Sequence, residues 1–270
     1  MRINGTTWVI TGGGSGMGRE LVLQALNRGA RVAAVDMRAE ALQETAELAH
    51  AGDRLSLHVV DITDRVAVEA LVAQVEQAHG AVDGLLNNAG IIQPFVPVAD
   101  LDYTAIERVL NVNLMGTIYM VKAFLPALLQ RPQAHIANVS SMGGFFPFPG
   151  QSMYGASKAG VKLLTEGLYA ELLDTNVGVS VIMPGAVNTA ITENSGVAAP
   201  ATPGDASKMP MTTAPRAAEI MLDGIEKNRL HIFVGKDARL MDLAIRITPK
   251  RAIGFIQKQM KSMLASEPVG

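Results

Sequence analysis

The sequence predicts an α/β fold, with one doubly wound parallel sheet of about seven strands and helices on both of its faces. Short apolar runs alternate with longer amphipathic segments, which is the pattern of repeated βαβ units. Several strand-like runs are continuously apolar, as expected where helices cover both faces of a parallel sheet. A glycine-rich turn joins the first strand to the first helix. Together these observations favour a single domain over residues 1–270.

The predicted strands and helices alternate along the chain. Each strand is a short run rich in apolar and β-branched residues, and each helix repeats apolar residues every three or four positions. Strands are predicted at residues 7–10, 31–35, 55–60, 82–86, 135–139, 177–183 and 231–234. Helices are predicted from the glycine-rich turn to about residue 27, then to about residue 51, over 64–79 and 103–129, and around Tyr154 to about residue 173.

Two later segments depart from this alternation. Residues 186–213 are rich in Ala, Pro, Gly, Thr and Ser, and so long a loop in a compact domain usually serves as a lid or binding segment. We therefore predict a substrate-side loop, with an insertion of no function as the alternative. Residues 236–264 are predicted to form an amphipathic helical extension. This extension has no acidic residue between Lys250 and Lys261. This extension is expected to pack on the protein or a partner subunit, or else to touch a membrane or cover an apolar substrate entrance.

Composition excludes several classes of protein. Lys and Arg number 23 against 25 Asp and Glu, and this balance argues against a nucleic-acid partner. The absence of cysteine excludes disulfides and thiolate metal sites, and the five histidines are too scattered to predict a metal site. The sequence shows neither the apolar core of a signal peptide near its start nor an uninterrupted apolar run of about 18 residues. We expect a soluble, cytoplasmic protein without a membrane span.

A tyrosine and a lysine suggest acid–base chemistry. Tyr154 and Lys158 are four residues apart and share one face of a helix, and Ser141 lies thirteen residues before Tyr154. Tyrosine has an ordinary pKa of about 10, and an ammonium group beside it favours the phenolate. A pKa closer to neutrality suits general acid–base catalysis. Alone, the pair is equally compatible with a surface tyrosine beside a solvated lysine.

The glycine-rich turn predicts a dinucleotide site. Gly12, Gly16 and Gly18 lie between the first strand and the first helix, where glycines let the backbone approach a pyrophosphate. Asp36 ends the second strand, where its carboxylate can bind the ribose diol and repel a 2′-phosphate. NAD is therefore favoured over NADP, although Arg38 leaves NADP open. An ordinary turn and a helix-capping aspartate are the alternatives.

With these motifs in place, the sequence resembles the short-chain dehydrogenase/reductase family over roughly residues 4–234. The resemblance implies a Rossmann-type sheet with the strand order 3-2-1-4-5-6-7. It rests on the turn at residues 11–18, the Asn-Asn-Ala-Gly segment at 87–90, the tetrad Asn113, Ser141, Tyr154 and Lys158, and the segment 184–189.

The resemblance also implies a role for each of these residues. Tyr154 is the general acid or base, Lys158 lowers its pKa and binds the nicotinamide ribose, and Ser141, rather than Ser140, holds the substrate oxygen. Asn113 is implied to hold its helix around a water that relays protons. The implied cofactor-binding residues are Gly12, Ser15, Gly16, Met17, Gly18, Asp36, Asp61, Ile62, Asn88, Ala89, Gly90, Tyr154, Lys158, Pro184, Gly185, Val187 and Thr189.

The implied activity is NAD(P)-dependent interconversion of a secondary alcohol and a ketone. A non-catalytic dinucleotide sensor or scaffold is the main alternative, and a sugar-nucleotide epimerase is disfavoured by the short chain after residue 234. The resemblance also implies a homodimer or homotetramer. The C-terminal extension at 236–264 departs from the family's common tetrameric pattern, which makes the tetramer less certain than the dimer. The substrate is expected to be bulky and apolar, because several apolar residues could line a pocket beside the site. Some of these residues could instead pack in the core. The candidate pocket residues are Ile92, Phe95, Phe145, Phe146, Phe148, Met153 and Met211.

Overall fold

The computed structural model describes residues 1–197 and 211–264. Its strands are β1 (Thr7–Thr11), β2 (Arg31–Asp36), β3 (Leu55–Val59), β4 (Gly84–Asn87), β5 (Ala134–Val139), β6 (Val177–Pro184), β7 (Val187–Asn188), β8 (Thr212–Thr213) and β9 (His231–Val234). Its helices are α1 (Gly16–Asn27), α2 (Ala39–Ala49), α3 (Arg65–His79), α4 (Tyr103–Leu110), α5 (Gly116–Leu129), α6 (Ser152–Glu171), α7 (Ile191–Ser195), α8 (Ala214–Glu226), α9 (Lys236–Ile247) and α10 (Pro249–Leu264).

The main sheet in the described residues has seven parallel strands in the order β3-β2-β1-β4-β5-β6-β9. This confirms the predicted fold class and strand order. Successive strands are added to one side of β1 as far as β3 and then to the other side from β4 onward. A crevice therefore opens at the carboxyl ends of β1 and β4, where such folds bind ligands. The short strands β7 and β8 pair with each other outside the main sheet.

Two hydrophobic layers cover the faces of the sheet. One joins α1 and α8 to the sheet through residues such as Leu21 and Leu222. The other joins α3, α5 and α6 to the sheet through residues such as Leu71, Phe124 and Leu168. Burial on both faces explains why most strands are apolar throughout rather than alternating.

The long helix predicted at 103–129 forms, but its middle is a π-helical turn, Asn111–Met115, between α4 and α5. It is the one described segment long and apolar enough to cross a membrane. It packs against α3, α6 and the strands β4 and β5, as expected for a helix that covers one face of the sheet.

Helix α8 was not predicted, although its start carries clear sequence signals. The Thr213 hydroxyl accepts a hydrogen bond from Arg216 N, and Pro215 occupies the first turn. The predicted loop at 186–213 contains β7 and α7 and ends with β8, while residues 198–210 lie outside the described residues. The predicted extension at 236–264 forms α9 and α10, which pack on each other.

Candidate active site

The glycine-rich turn packs tightly against the residues that follow β4. Thr11 Oγ1 accepts hydrogen bonds from the backbone N–H groups of Asn88 and Ala89, both at 3.0 Å, which ties the turn to the end of β4. A Cβ on Gly12 would lie 2.9 Å from Asn88 Nδ2, and one on Gly18 would lie 2.7 Å from the same atom. Only glycine fits at these two positions, because a side chain at either one would collide with the turn or with the residues that follow β4.

Asp36 lies beside this turn. Its Oδ2 accepts a hydrogen bond from Gly14 N at 3.1 Å, and its Oδ1 accepts one from Arg38 N at 3.1 Å. The Arg38 guanidinium then donates to Ser15 Oγ and to Asn194 Oδ1, each at 2.9 Å. Asn194 Nδ2 also donates to Ser15 Oγ at 3.0 Å. Helix α7 is thus fastened over the glycine-rich turn, a contact that the sequence did not predict.

Asp61 and Ile62 follow β3 and differ in their surroundings. Asp61 Oδ1 accepts hydrogen bonds from Thr63 N and Thr63 Oγ1, both at 2.8 Å, in the turn that leads to α3. The Ile62 side chain is buried against Gly116, at the start of α5. Any contact between Ile62 and an adenine ring would therefore come through its backbone.

Lys158 and Asn113 meet beneath Gly90. A Cβ on Gly90 would lie 2.9 Å from Lys158 Nζ and 3.1 Å from Asn113 Oδ1, so glycine lets these two side chains approach the backbone closely. Lys158 Nζ donates a hydrogen bond to the Val139 carbonyl at 3.0 Å. Burial of its side chain lowers the pKa of Lys158 from 10.5 to about 8. The structure therefore brings three predicted site residues together at the ends of β4 and β5.

Ser141 and Tyr154 border the same glycine. Ser141 Oγ accepts a hydrogen bond from Gly143 N at 3.0 Å, and a Cβ on Gly143 would lie 3.2 Å from Tyr154 Cε1. Burial raises the pKa of Tyr154, and the hydrogen bond with Ser141 partly offsets this. Ser140 Oγ instead donates to the Lys158 carbonyl at 2.7 Å, which leaves Ser141 as the serine beside Tyr154.

Asn113 lies in the π-helical turn and is fully buried. Its Oδ1 accepts a hydrogen bond from Ile91 N at 2.8 Å, while its Nδ2 donates to Ile91 O at 2.9 Å and to Ser157 Oγ at 3.0 Å. Ser157 in turn donates to the Tyr154 carbonyl at 2.7 Å. The Asn113 side chain therefore clamps the segment after β4 to α6, and π-turns of this kind are frequent at functional sites.

Gln93 is a site residue that the sequence analysis missed. It is fully buried, and its Oε1 accepts hydrogen bonds from Met153 N at 2.8 Å and Tyr154 N at 3.0 Å. Its Nε2 donates to the Gly150 carbonyl at 2.9 Å. Gln93 thus satisfies backbone donors in the first turn of α6, where Tyr154 lies.

The segment after β6 closes the other side of the crevice. Gly185 N donates to the Val234 carbonyl at 2.8 Å, next to Pro184 at the end of β6, and Ala186 N donates to Asp237 Oδ2 at 2.8 Å. Val187 pairs with β8. Further along, Thr189 lies beside the turn, because a Cβ on Gly16 would lie 3.4 Å from Thr189 Cβ. Asp237, which anchors this segment, was not predicted.

The apolar residues predicted to line a substrate pocket divide into two groups. Phe146 is fully buried and Ile92 nearly so, which makes them core residues rather than exposed pocket walls. Phe145, Phe148 and the remaining candidates keep some exposure, and Met211 is largely exposed. The Phe145 ring stacks edge-on against Phe233 of β9 at a centroid distance of 6.2 Å.

Comparison with known proteins supports the same interpretation. The family model described as short chain dehydrogenase matches residues 6–199, which include the glycine-rich turn, Ser141, Tyr154 and Lys158. The chain belongs to the short chain dehydrogenase family. This dehydrogenase is therefore an oxidoreductase with a Rossmann-type nucleotide-binding fold.

Relatives of the dehydrogenase span nearly its whole length. It is 33% identical over 255 residues to the putative oxidoreductase SadH of Mycobacterium tuberculosis, covering 90% of this chain and 91% of that protein. A short-chain dehydrogenase/reductase of Burkholderia phymatum in complex with NAD superposes with a TM-score of 0.83 at 26% identity, covering 100% of this chain and 99% of that one. A short chain dehydrogenase of Burkholderia cenocepacia in complex with NADP superposes with a TM-score of 0.80 at 27% identity. The match covers 95% of this chain and 99% of that one. Neighbours of this fold thus bind either dinucleotide.

Proposed function

We propose that this dehydrogenase interconverts a secondary alcohol and a ketone by hydride transfer, with Tyr154 as the acid or base. The observation that carries this proposal is the convergence of Ser141 and Tyr154 at Gly143, with Lys158 Nζ beneath Gly90 on the next turn of α6. A phenol, a hydroxyl and an ammonium group thus line one end of the crevice. Such groups can protonate a carbonyl oxygen and stabilise the charge that develops on it during reduction.

The residues around the crevice fit a nicotinamide dinucleotide. The glycine-rich turn would hold the pyrophosphate, Asp36 the adenosine ribose, and Asp61 and the backbone of Ile62 the adenine side. The remaining predicted contacts would lie around the nicotinamide half, and the bound cofactor would supply or accept the hydride. They are Asn88, Ala89, Gly90, Lys158, Pro184, Gly185, Val187 and Thr189.

In the reducing direction, Tyr154 gives its proton to the substrate oxygen as the substrate carbon gains a hydride. The Ser141 hydroxyl donates a hydrogen bond to the same oxygen and so stabilises the charge that develops there. Burial keeps the free Tyr154 phenol protonated, since it raises the pKa of that group. The Lys158 ammonium favours the phenolate that forms on proton transfer, and in oxidation the same phenolate accepts the proton.

The first prediction tests catalysis directly. Tyr154→Phe removes the proton donor while keeping the ring, so turnover should fall at least about a hundred-fold with little change in dinucleotide affinity. Secondary alcohols and ketones are screened with each cofactor by nicotinamide absorbance, and dinucleotide binding is measured by calorimetry. Unchanged turnover in the variant would remove Tyr154 from the mechanism. Dinucleotide binding with no turnover of any substrate would favour the sensor or scaffold alternative.

We further propose NAD as the preferred cofactor. Asp36 faces the turn where the adenosine ribose would lie, and a carboxylate there repels a 2′-phosphate. Asp36→Ala should weaken NAD binding about ten-fold and narrow the difference between the two cofactors. Calorimetric titration of both dinucleotides measures this, with Asp53→Ala, an exposed aspartate on another turn, as the control. Equal affinity of the unmutated protein for NAD and NADP would contradict the preference.

The substrate is proposed to be bulky and apolar. Phe145, Phe148 and Met153 lie between Ser141 and Tyr154 in the sequence and are partly exposed, which supports an apolar pocket wall. A substrate panel should therefore favour large apolar ketones over sugars and small polyols. Turnover of small polyols alone would refute this substrate class.

A cytoplasmic homodimer of single-domain subunits is the assembly we propose. Leu163 and Leu173 lie on or just after α6 and are 71% and 60% exposed, which supports an apolar contact along that helix. Light scattering of the purified protein measures the mass. A monomer at micromolar concentration would contradict this assembly.

A further inference from the structure

The outward side of α9 is apolar. Leu240, Leu243 and Ile247 follow the i, i+3, i+7 spacing of one helix face and are 60%, 56% and 67% exposed. The opposite side of the helix is already occupied, since Ala238 is buried against the protein. We call Leu240, Leu243 and Ile247 the outer apolar face.

Basic side chains accompany the outer apolar face. Residues 236–258 carry two acidic residues, and both are engaged by hydrogen bonds: Asp237 with Ala186 N at 2.8 Å and Asp242 with Arg246 Nε at 3.0 Å. The segment is therefore positively charged, although the whole chain has a net charge of −2. Its six basic residues are Lys236, Arg239, Arg246, Lys250, Arg251 and Lys258.

We propose that the outer apolar face docks this dehydrogenase onto an anionic phospholipid bilayer. Apolar side chains on one face of a helix insert at the boundary between headgroups and acyl chains, while flanking basic residues bind the lipid phosphates. The outer apolar face lies on α9, and the flanking basic residues lie on both α9 and α10. The contact is peripheral, because neither helix is apolar around its whole circumference.

Charge decides between a bilayer and a second copy of the chain. A twofold contact through this face would bring the same basic segment of two subunits together, and the like charges would repel. An anionic lipid surface instead complements the charge. The lipid is therefore the occupant that the sequence and structure favour.

The docking face lies next to the candidate active site. Helix α9 packs against the Met142–Gly144 turn, which directly follows Ser141, and Asp237 at its start holds the segment that follows β6. Docking would thus place the crevice near the lipid, where apolar compounds concentrate. This consequence for substrate supply rests on the proposed function, whereas docking itself does not.

The test uses the full-length protein and sedimentation with two kinds of vesicle. One contains equal parts of phosphatidylcholine and phosphatidylglycerol, and the other contains phosphatidylcholine alone. Sedimentation with the anionic vesicles is expected to exceed that with the neutral ones and to weaken as salt is added. The combined change Lys250→Glu and Arg251→Glu should lower the partition constant more than about ten-fold. Replacement of Leu240, Leu243 and Ile247 by Asn should abolish sedimentation.

Matched controls separate a local effect from a general one. Leu48→Asn with Val66→Asn removes equally exposed apolar groups elsewhere, and Lys227→Glu with Arg65→Glu reverses two other exposed charges; both should leave sedimentation unchanged. Failure of the unmutated protein to sediment with anionic vesicles would overturn the proposal. So would a loss of oligomer mass in the Asn variant together with unchanged sedimentation, because a second copy would then cover this face. Neither outcome depends on turnover.

Discussion

At the scale of the residue, Gln93 binds the start of α6, the helix that carries the proposed acid Tyr154. Tyr154 lies in the first turn of α6, where backbone N–H groups have no partner within the helix. Gln93 Oε1 accepts from two of them, and the Gly150 carbonyl holds its amide nitrogen in place. Sequence patterns did not reveal this residue because it is about sixty positions from its partners and its type suggests only a polar loop.

Replacing Gln93 should therefore disturb catalysis more than substrate binding. Gln93→Ala leaves two partly buried N–H groups without their acceptor. The change should cost about 1–3 kcal/mol of stability and lower kcat about ten-fold through misplacement of Tyr154. Gln93→Glu keeps the acceptor and should restore part of kcat, an outcome that a purely structural role would not produce. Urea unfolding and steady-state kinetics measure both effects, with exposed Gln43→Ala as the control. A lower stability with an unchanged kcat would refute the positioning role.

At the scale of the element, local patterns predicted strands and helices well, and contacts between distant segments poorly. The seven predicted strands of the main sheet all form, with ends shifted by at most two residues. The π-turn at Asn113 could not be predicted, because it depends on the clamp to Ile91 and Ser157. Helix α7 and its contact with the glycine-rich turn were not predicted either, because the hydrogen bonds between them join residues more than 150 positions apart.

The fastening of α7 provides a prediction about cofactor preference. Asn194 and Ser15 hold the Arg38 guanidinium beside Asp36, and we expect this hold to keep the arginine from binding a 2′-phosphate. Asn194→Ala releases one of these contacts and should raise affinity for NADP several-fold relative to NAD. Calorimetry with both dinucleotides measures the ratio, and exposed Glu193→Gln on the same helix is the control. A ratio that does not move would mean that Asn194 has no part in holding Arg38.

At the scale of the whole molecule, folding buries three histidines, two on strands of the sheet and one at the end of α3. Burial lowers the pKa of His58, His79 and His135, and for His135 the value falls from 6.5 to about 3. His135 lies near the start of β5, an interior strand, where its Nε2 forms a hydrogen bond with Ser180 Oγ at 2.9 Å. The continuous apolar strands predicted the covered sheet, but a histidine in such a strand gives no sign of its own burial.

Buried histidine should make the dehydrogenase sensitive to mild acid. The unfolded chain takes up a proton at His135 near pH 6.5, whereas the folded protein does so only near pH 3. The unfolded state therefore binds more protons in this window, and stability falls as the pH falls through it. Between pH 7 and pH 5 the contribution of His135 should be about 2 kcal/mol. His135→Gln, which can still donate to Ser180, should remove that part of the pH dependence in urea unfolding. Exposed His50→Asn suits the backbone there and is the matched control, and equal pH dependence in both variants would show that His135 does not set the acid response.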